Sequence, residues 1–221
     1  MNICIIIPAY NESNAIGSLI ELLKLKSIPI VVINDGSTDD TGLIAQSAGA
    51  VVLTNEHKKG KGFALQRGFQ YALDQKYDGV ITMDADGQHS PEDIDQFLKY
   101  VSEKDVGLII GNRMGNAEGM PWLRYCVNWS MSAVISLASG QSVADTQCGY
   151  RYISSKILKD LNFTSSDFEI ETEMIMKAAK KGFKVRSVSI KTIYRNEISK
   201  IHPAKDTLRF ITYFIRELFS R

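Results

Sequence analysis

The chain has 221 residues, of which 44% are hydrophobic and 23% are charged, and this composition is typical of a globular protein with a substantial core. The formal net charge is +1, so no overall field favours nucleic acid as a partner. Three scattered cysteines without a CxxC pair argue against a zinc site and fit a reducing compartment.

The N-terminal stretch MNICIIIPAY has too short an apolar run for a signal peptide, and it lacks a basic region before that run. The sequence also contains no run of 18 or more apolar residues that could span a bilayer. We therefore expect a cytoplasmic protein that does not cross a membrane.

The first half of the chain repeats one pattern, in which a short apolar run is followed by a polar break and then by helical spacing. The stripe of Ile16, Leu19, Ile20 and Leu23 predicts one such helix, and residues 61–75 predict another. The apolar runs, which predict strands, are ICIII, IPIVVI, AVVLT, GVITM and GLIIG. Strands without polar alternation, separated by helices, indicate an α/β protein with a mostly parallel sheet buried on both faces.

The second half begins with an apolar segment over residues 120–139, followed by the loop VADTQCG and the strand-like YRYIS. A helix at about 169–181, a strand near KVRSVSI and a last helix at about 204–220 complete the pattern. No linker, repeat or low-complexity tract interrupts it. We therefore predict a single domain, residues 1–221, with a helical appendage.

Three polar stretches, PAYNE, NDGSTDD and DADGQ, each come directly after a predicted strand. Ligands of such sheets bind beyond the carboxyl ends of the strands. We therefore expect these stretches to meet at one edge of the sheet and to form the functional site.

The stretch DADGQH places Asp84, Asp86 and Gln88 within one turn. Their side chains offer oxygen atoms, which Mg²⁺ and Mn²⁺ prefer, and such sites leave positions for substrate phosphates. Aspartate also forms ordinary turns, so a purely structural interpretation exists. His89 is either a further ligand or a hydrogen-bonding residue of the turn.

The stretch EHKKGKGFAL carries Lys58, Lys59 and Lys61 just before a helix, where backbone N–H groups attract anions. It lacks the P-loop pattern, and Leu65 occupies the third glycine position of the dinucleotide fingerprint. A solvated basic loop is the alternative interpretation.

Asp35 follows the second predicted strand and could accept hydrogen bonds from a ribose or a base edge. Ser37, Thr38 and Asp39 are more typical of structural capping.

Seven stretches together resemble glycosyltransferase family 2, in its dolichol-phosphate mannosyltransferase-like branch, and the resemblance covers nearly the whole chain. The stretches are IIIPAYNES, VVINDGSTDDT, GKGFAL, MDADGQHSPEDI, GNR, DTQCGYR and GFKVRSVSI. The resemblance implies a GT-A fold, with a Rossmann-like sheet, and an inverting transfer of a hexose from a nucleotide-sugar such as GDP-mannose or a UDP-hexose. It also implies Mg²⁺ or Mn²⁺ as cofactor.

By position, the resemblance divides the chain into a half that binds donor and metal, 1–115, and an acceptor-side half, 116–221. Asp86 and Gln88 match the likeliest direct metal ligands, with Asp84 beside them. The expected donor contacts are Pro8, Tyr10, Glu12, Asp35, Lys61, Asp84 and Ala85.

Arginines and the acceptor-side loop complete the implied site. Arg113 and Arg124 resemble arginines that hold phosphate groups, and Arg195 and Lys200 fall in a basic loop that closes over the donor. The loop DTQCGYR contributes Asp145, Gln147 and Arg151 near the reacting centre.

The expected acceptor is a polyprenyl phosphate, dolichyl or undecaprenyl, whose oxygen is already anionic and needs no strong base. If the acceptor is instead a hydroxyl of a glycan or protein, Asp145 is the best candidate for the base. The expected catalytic residues are therefore Asp86, Asp145 and Arg113. Glu171 is more typical of a solvated helix face. A non-catalytic nucleotide-sugar-binding subunit is the alternative from another class.

Residues 120–139 contain Trp122, Trp129 and Tyr125, which favour a membrane interface, and the last helix adds an apolar stripe. These helices could equally pack on each other or on a partner subunit. The sequence thus predicts a cytoplasmic enzyme, with peripheral attachment at the cytoplasmic face of a membrane as one of its two interpretations, and it leaves the oligomeric state open.

Overall fold

The computed structural model describes residues 1–103, 106–117, 119–160, 162–167, 169–191 and 193. Strands and helices alternate through this part of the chain, as the apolar pattern predicts. The strands are β1 Ile3–Ala9, β2 Ile30–Asn34, β3 Val51–Thr54, β4 Gly79–Thr82, β5 Val106–Asn112, β6 Arg151–Ser154 and β7 Lys184–Ser189. The helices are α1 Ile16–Lys24, α2 Thr41–Ser47, α3 Lys61–Asp74, α4 Ile94–Leu98, α5 Trp122–Ser139, α6 Ser155–Asp160 and α7 Ile170–Lys180.

The seven strands form one sheet in the order β3-β2-β1-β4-β6-β5-β7. All neighbouring pairs are parallel except those of β6, which runs antiparallel to both β4 and β5. The predicted α/β architecture with a mostly parallel sheet is therefore confirmed.

The central strands are buried because helices cover both faces of the sheet. Every residue of β2 and β4 is buried, and Ile5, Ile6 and Ile7 of β1 have no exposed surface. The predicted stripe of α1 is buried as well. Large aliphatic side chains in such a core each contribute about 1.5–3 kcal/mol relative to remaining exposed. This core fixes the strand ends that carry the polar loops.

The reversed direction of β6 brings a further loop to the same edge of the sheet. Thr82, at the end of β4, pairs with Arg151, at the start of β6. The loop DTQCGY, which leads into β6, therefore lies beside the loop DADGQ, which leaves β4. One edge thus collects segments from both halves of the chain.

Helix α5 leaves much of its apolar surface uncovered. Trp122, Leu123, Trp129 and Leu137 are 61–88% exposed, whereas Ile135 is buried. In the described part of the chain, no helix combines the length and the apolar character that a bilayer crossing requires.

Candidate active site at the sheet edge

Residues 56–62, named the lysine-glycine loop, lead into α3, and Asp84, which follows β4, pairs with Lys61 of this loop. Lys61 Nζ lies 2.6 Å from Asp84 Oδ1 and 2.9 Å from Glu171 Oε1. Burial opposes the charge of Asp84, but the Lys61 ammonium outweighs it and holds the pKa of Asp84 well below its usual range. Burial likewise opposes the charge of Lys61, but the two carboxylates raise its pKa. The Lys61 ammonium thus lies between the side chains of Asp84 and Glu171.

Asp86 lies in a less favourable environment for its charge. Its Oδ1 accepts the backbone N–H of Gln88 at 3.0 Å. Burial, and then the nearby charge of Asp84, raise the pKa of Asp86 to about 6. A cation bound at this carboxylate would offset both the burial of its charge and the repulsion by Asp84.

The donor set fits a hard divalent cation, since Asp84, Asp86 and Gln88 offer carboxylate and amide oxygens. Among the described residues, no three His, Cys, Asp or Glu side chains gather closely enough to hold a metal ion by themselves. A metal here would therefore complete its coordination with oxygens of a bound substrate.

His89 has a structural position in the same turn. Its Nδ1 accepts the backbone N–H of Asp84 at 3.3 Å, and its ring stacks on Tyr150 at 5.0 Å between centroids. Burial lowers the pKa of His89 to about 4, so the ring is neutral near pH 7. This geometry favours the hydrogen-bonding interpretation of His89 over metal ligation.

Asp35 is buried at the end of β2 and accepts three hydrogen bonds. Its Oδ1 accepts Asn55 Nδ2 at 2.7 Å and the N–H of Lys59 at 3.0 Å, and its Oδ2 accepts the N–H of Gly60 at 2.8 Å. Asp35 therefore fixes the lysine-glycine loop against the end of β2.

The loop PAYNE is joined to the loop after β2. The N–H of Asn11 donates to Ser37 Oγ at 3.0 Å, and the N–H of Thr38 donates to Asn11 Oδ1 at 2.9 Å. The N–H of Glu12 donates to Thr41 Oγ1 at 2.8 Å. Pro8 and Tyr10 are half-buried beside this junction, and Lys58 Nζ lies 3.9 Å above the centre of the Tyr10 ring.

The glycines of the lysine-glycine loop permit close packing. A Cβ at Gly60 would lie 2.4 Å from the carbonyl oxygen of Ser166, and one at Gly62 would lie 2.4 Å from that of Ser165. The N–H of Phe63 also donates to Ser166 O at 3.1 Å. The start of α3 is thus partly covered by protein. The sequence suggested instead that the backbone N–H groups at this point would face an anion.

Arg113 and Asp145 form a second buried ion pair. Arg113 donates through Nε to Asp145 Oδ2 at 2.7 Å and through Nη2 to Asp145 Oδ1 at 2.9 Å. Burial opposes the charge of Asp145, but the bonds from Arg113 lower its pKa. Asp145 has no exposed surface and binds Arg113 with both carboxylate oxygens, so its role as a general base stays a prediction.

Arg151 is also directed into the protein. It is 1% exposed, and its guanidinium donates to the carbonyl oxygens of Cys148, Glu171 and Thr146 at 2.6–2.8 Å. Its guanidinium therefore supports the loop before β6, and the substrate contact that the sequence suggested stays a prediction. Gln147, by contrast, is half-buried at the same loop.

Glu171 was expected on a solvated helix face, and this expectation is wrong. Its side chain is buried against Lys61, and its Oε2 has no hydrogen-bond partner among the described residues. The reason is that α7 is buried on nearly all sides. The apolar neighbours Ile170, Met174 and Ile175 were the available signal.

Gly149 was not expected to matter, yet its backbone lies against the Asp84–Lys61 pair. A Cβ there would lie 2.6 Å from Asp84 Oδ2 and 2.9 Å from Lys61 Nζ. The loop DTQCGY and the loop DADGQ are therefore in direct contact at this residue.

The remaining candidates lie at the periphery or outside the described residues. Ala85 is buried beside the two acids, and Arg124 is half-buried in the first turn of α5. Arg195, Lys200 and the predicted helix at 204–220 fall outside the residues that the structure describes.

Comparison with known sequences identifies the family of the chain and several of its relatives. The sequence model of "Glycosyl transferase family 2" matches residues 4–161. The chain is 37% identical over 200 residues to an uncharacterized protein of Methanocaldococcus jannaschii, covering 87% of this chain and 82% of that one. It is 29% identical to the UDP-N-acetylglucosamine--dolichyl-phosphate N-acetylglucosaminyltransferase of Methanococcus voltae, covering 87% and 86%. It is also 29% identical to the undecaprenyl-phosphate mannosyltransferase of Micrococcus luteus, covering 88% and 85%.

Comparison with solved structures concerns the fold. Glucosyl-3-phosphoglycerate synthase from Mycobacterium tuberculosis, in complex with Mn²⁺, uridine diphosphate and glucosyl-3-phosphoglycerate, matches with a TM-score of 0.75 and 20% identity. The match covers 99% of this chain and 79% of that one. The predicted GT-A fold is therefore confirmed.

Proposed function

The chain belongs to glycosyl transferase family 2, and from this premise we propose that it transfers a hexose from a nucleotide-sugar to a polyprenyl phosphate. Two named relatives support this acceptor, since their names include dolichyl phosphate and undecaprenyl phosphate. The reaction would run at the cytoplasmic face of the membrane that holds the lipid.

The donor would bind along the edge that carries the loops after β1, β2 and β4. Asp86 and Gln88 would hold Mg²⁺ or Mn²⁺ together with the donor diphosphate, with Asp84 beside them. When bound, the cation supplies positive charge that stabilises the leaving nucleoside diphosphate. Asp84, kept ionised and oriented by Lys61, faces the sugar end of the donor.

The observation that carries the acceptor proposal is that Asp145, the carboxylate offered as the general base, is already paired. Its Oδ2 lies 2.7 Å from Arg113 Nε, and the buried acid Glu171 pairs with Lys61. A hydroxyl acceptor must lose a proton, whereas a phosphate monoester near neutral pH is already anionic. The arrangement therefore favours a phosphate acceptor over a glycan or protein hydroxyl.

The transfer itself needs no proton movement with such an acceptor. A phosphate oxygen attacks the anomeric carbon, the bond from that carbon to the diphosphate oxygen breaks, and its electron pair leaves with the nucleoside diphosphate. Configuration at the anomeric carbon is inverted. Arg113, held at the edge by Asp145, supplies positive charge near the two phosphate groups.

The test is to incubate the protein with Mn²⁺, labelled UDP- and GDP-sugars and undecaprenyl or dolichyl phosphate, and then to extract the lipid. We expect labelled glycolipid that Asp86→Ala does not form. Transfer only to a soluble glycan or protein, abolished in Asp145→Asn, would favour the hydroxyl alternative. Donor binding without turnover would favour the non-catalytic subunit.

The exposed face of α5 is the proposed contact with the bilayer. Trp122, Trp129 and Tyr125 belong to the residue types that favour membrane interfaces, and the only charged residue of the helix is Arg124. A lipid-linked acceptor must reach the site from a bilayer, so an apolar face of this kind is required near it. Sedimentation with phospholipid vesicles tests the contact, and equal binding by Trp129→Ser and the unchanged protein would contradict it.

A further inference from the structure

We propose that Asp93 is a positioning residue for the metal, because it fixes the chain after β7 against the backbone of Gln88. The chain after β7 means Ile190, Lys191 and Ile193, which follow that strand. The proposal rests on the proposed function, in which Gln88 is a metal ligand. Asp93 itself contacts neither the donor nor the metal in that function, so its effect passes through Gln88.

The turn that carries Gln88 does not fix this residue by itself. Gly87, directly before it, has a φ of +72°, and the freedom that allows glycine this conformation leaves the next residue loosely oriented. The N–H of Gln88 donates to Asp86 Oδ1 at 3.0 Å, but Asp86 belongs to the same turn. Ordering a loosely held ligand costs free energy when the metal binds, so an anchor from outside the turn strengthens binding.

The chain after β7 supplies such an anchor through two backbone N–H groups. The N–H of Ile193 donates to Gln88 O at 3.0 Å, and the N–H of Lys191 donates to Asp93 Oδ2 at 2.7 Å. Only one residue separates the two donors along the chain. The bond at Asp93 therefore restricts where the bond at Gln88 can form.

Asp93 is a well-fixed point for this contact. It is 7% exposed and ends the turn Pro91–Asp93, where its N–H donates to Ser90 O at 3.1 Å and Ser90 Oγ caps the turn. Burial raises the pKa of Asp93, so the acid is held at a cost, and the hydrogen bond from Lys191 offsets part of it. A hydrogen bond from a backbone N–H to a buried carboxylate is among the strong ones.

The chain after β7 is also fixed to the strand that leads to Arg113. The N–H of Ile190 donates to Asn112 O at 3.1 Å, and Asn112 ends β5 directly before Arg113. Ile190 is 2% exposed, and a Cβ at Gly111 would lie 2.7 Å from its Cδ1, so the packing here is tight. The chain after β7 thus connects the turn of Gln88 with the end of β5, and Asp93 holds one side of that connection.

Titration of the full chain with Mn²⁺ in the presence of uridine diphosphate, followed by the electron paramagnetic resonance signal of free Mn²⁺, tests the proposal. We expect Asp93→Ala to weaken Mn²⁺ binding at least about fivefold. Asp93→Asn should stay within about twofold of the unchanged protein, since its amide oxygen can still accept the N–H of Lys191. Asp95→Ala, which breaks the exposed pair with Lys26 on α4, is the matched control and should have no effect.

A second pair of variants tests the other end of the connection. Ile193→Pro deletes the N–H that binds Gln88 O and leaves Asp93 unchanged, so it should weaken Mn²⁺ binding by a similar factor. Ile193→Ala keeps that N–H and should bind Mn²⁺ normally. Unfolded protein lowers the number of Mn²⁺ sites at saturation and not their affinity, so a loss of folded protein does not mimic the effect.

Unchanged Mn²⁺ affinity in Asp93→Ala or in Ile193→Pro would overturn the proposal. Equal losses in Asp93→Ala and Asp93→Asn would also overturn it, because the role assigned to Asp93 is to accept a hydrogen bond. Failure of the unchanged protein to bind Mn²⁺ with the nucleotide would instead overturn the metal site of the proposed function.

Discussion

Two buried ion clusters at the sheet edge differ in how their charges balance. Arg113 donates two parallel hydrogen bonds to Asp145. Around Lys61, by contrast, Asp84, Glu171 and the neighbouring Asp86 place three carboxylates near one ammonium. In the first cluster both carboxylate oxygens of Asp145 are bound by Arg113, whereas the second cluster is suited to receive further positive charge.

The balanced pair should be the more important of the two for stability. Asp145→Asn removes the charge that accepts two hydrogen bonds from the buried Arg113 guanidinium, which we expect to lower the free energy of unfolding by about 3 kcal/mol or more. Urea denaturation measures the change. Glu103→Gln breaks the exposed pair with Arg186 and should cost about 1 kcal/mol or less. Equal losses in the two variants would contradict the assigned role of Asp145.

The unbalanced cluster should be the more important for activity. Asp86→Ala removes the carboxylate with the raised pKa, and we expect transfer to fall about 10²- to 10³-fold because the leaving diphosphate loses its stabilisation. Its melting temperature should stay the same or rise, since a buried carboxylate beside Asp84 is unfavourable. Initial rates and a thermal melt check both parts, and a variant that keeps its activity would refute this role.

Two glutamates of α7 allow the comparison to be sharpened within one helix. Glu171→Gln removes one of the two charges that hold Lys61, so we expect about a tenfold loss of kcat with little change in stability. Glu173→Gln is the matched control, because Glu173 accepts the N–H groups of Thr164 and Ser165 and pairs with Lys177. That variant should lose stability and keep more of its kcat. The reverse pattern would assign the two roles the other way round.

The smallest expected effect is the change that the metal and the nucleotide cause in each other's affinity. Since Asp84, Asp86 and Gln88 supply too few ligands for a closed site, Mn²⁺ alone should bind weakly, and uridine diphosphate should tighten it by about tenfold. By linkage, Mn²⁺ must tighten the nucleotide by the same factor. Titrations of each ligand with and without the other measure the factor, and independent binding would argue against a shared site.

Much of the fold could be predicted because its strands are buried on both faces. Runs such as ICIII and GVITM contain no polar alternation, and they became β1 and β4 at nearly the predicted positions. The family prediction is also confirmed, since it depended on the order of short stretches along the chain. The short helix α6 was missed, because it follows β6 without a polar break.

The site was harder to predict because its contacts join distant parts of the chain. Neither the reversed direction of β6 nor the burial of Glu171 follows from the local pattern, since both depend on which strands and helices meet. Lys61 was expected to face phosphate, and the structure places it between two carboxylates. The placements of Arg195 and Lys200 stay predictions.

The single reversed strand also ties the loop DTQCGY into the core. Thr146 is bonded to Ser132 of α5, and Arg151 donates to the carbonyl oxygens of Thr146 and Cys148. Cys148 and Tyr150 have no exposed surface, and the Tyr150 ring stacks on His89 of the loop after β4. Of residues 147–150, Gln147 is therefore the one position at which a side chain could be exchanged without disturbing the core or the loop DADGQ.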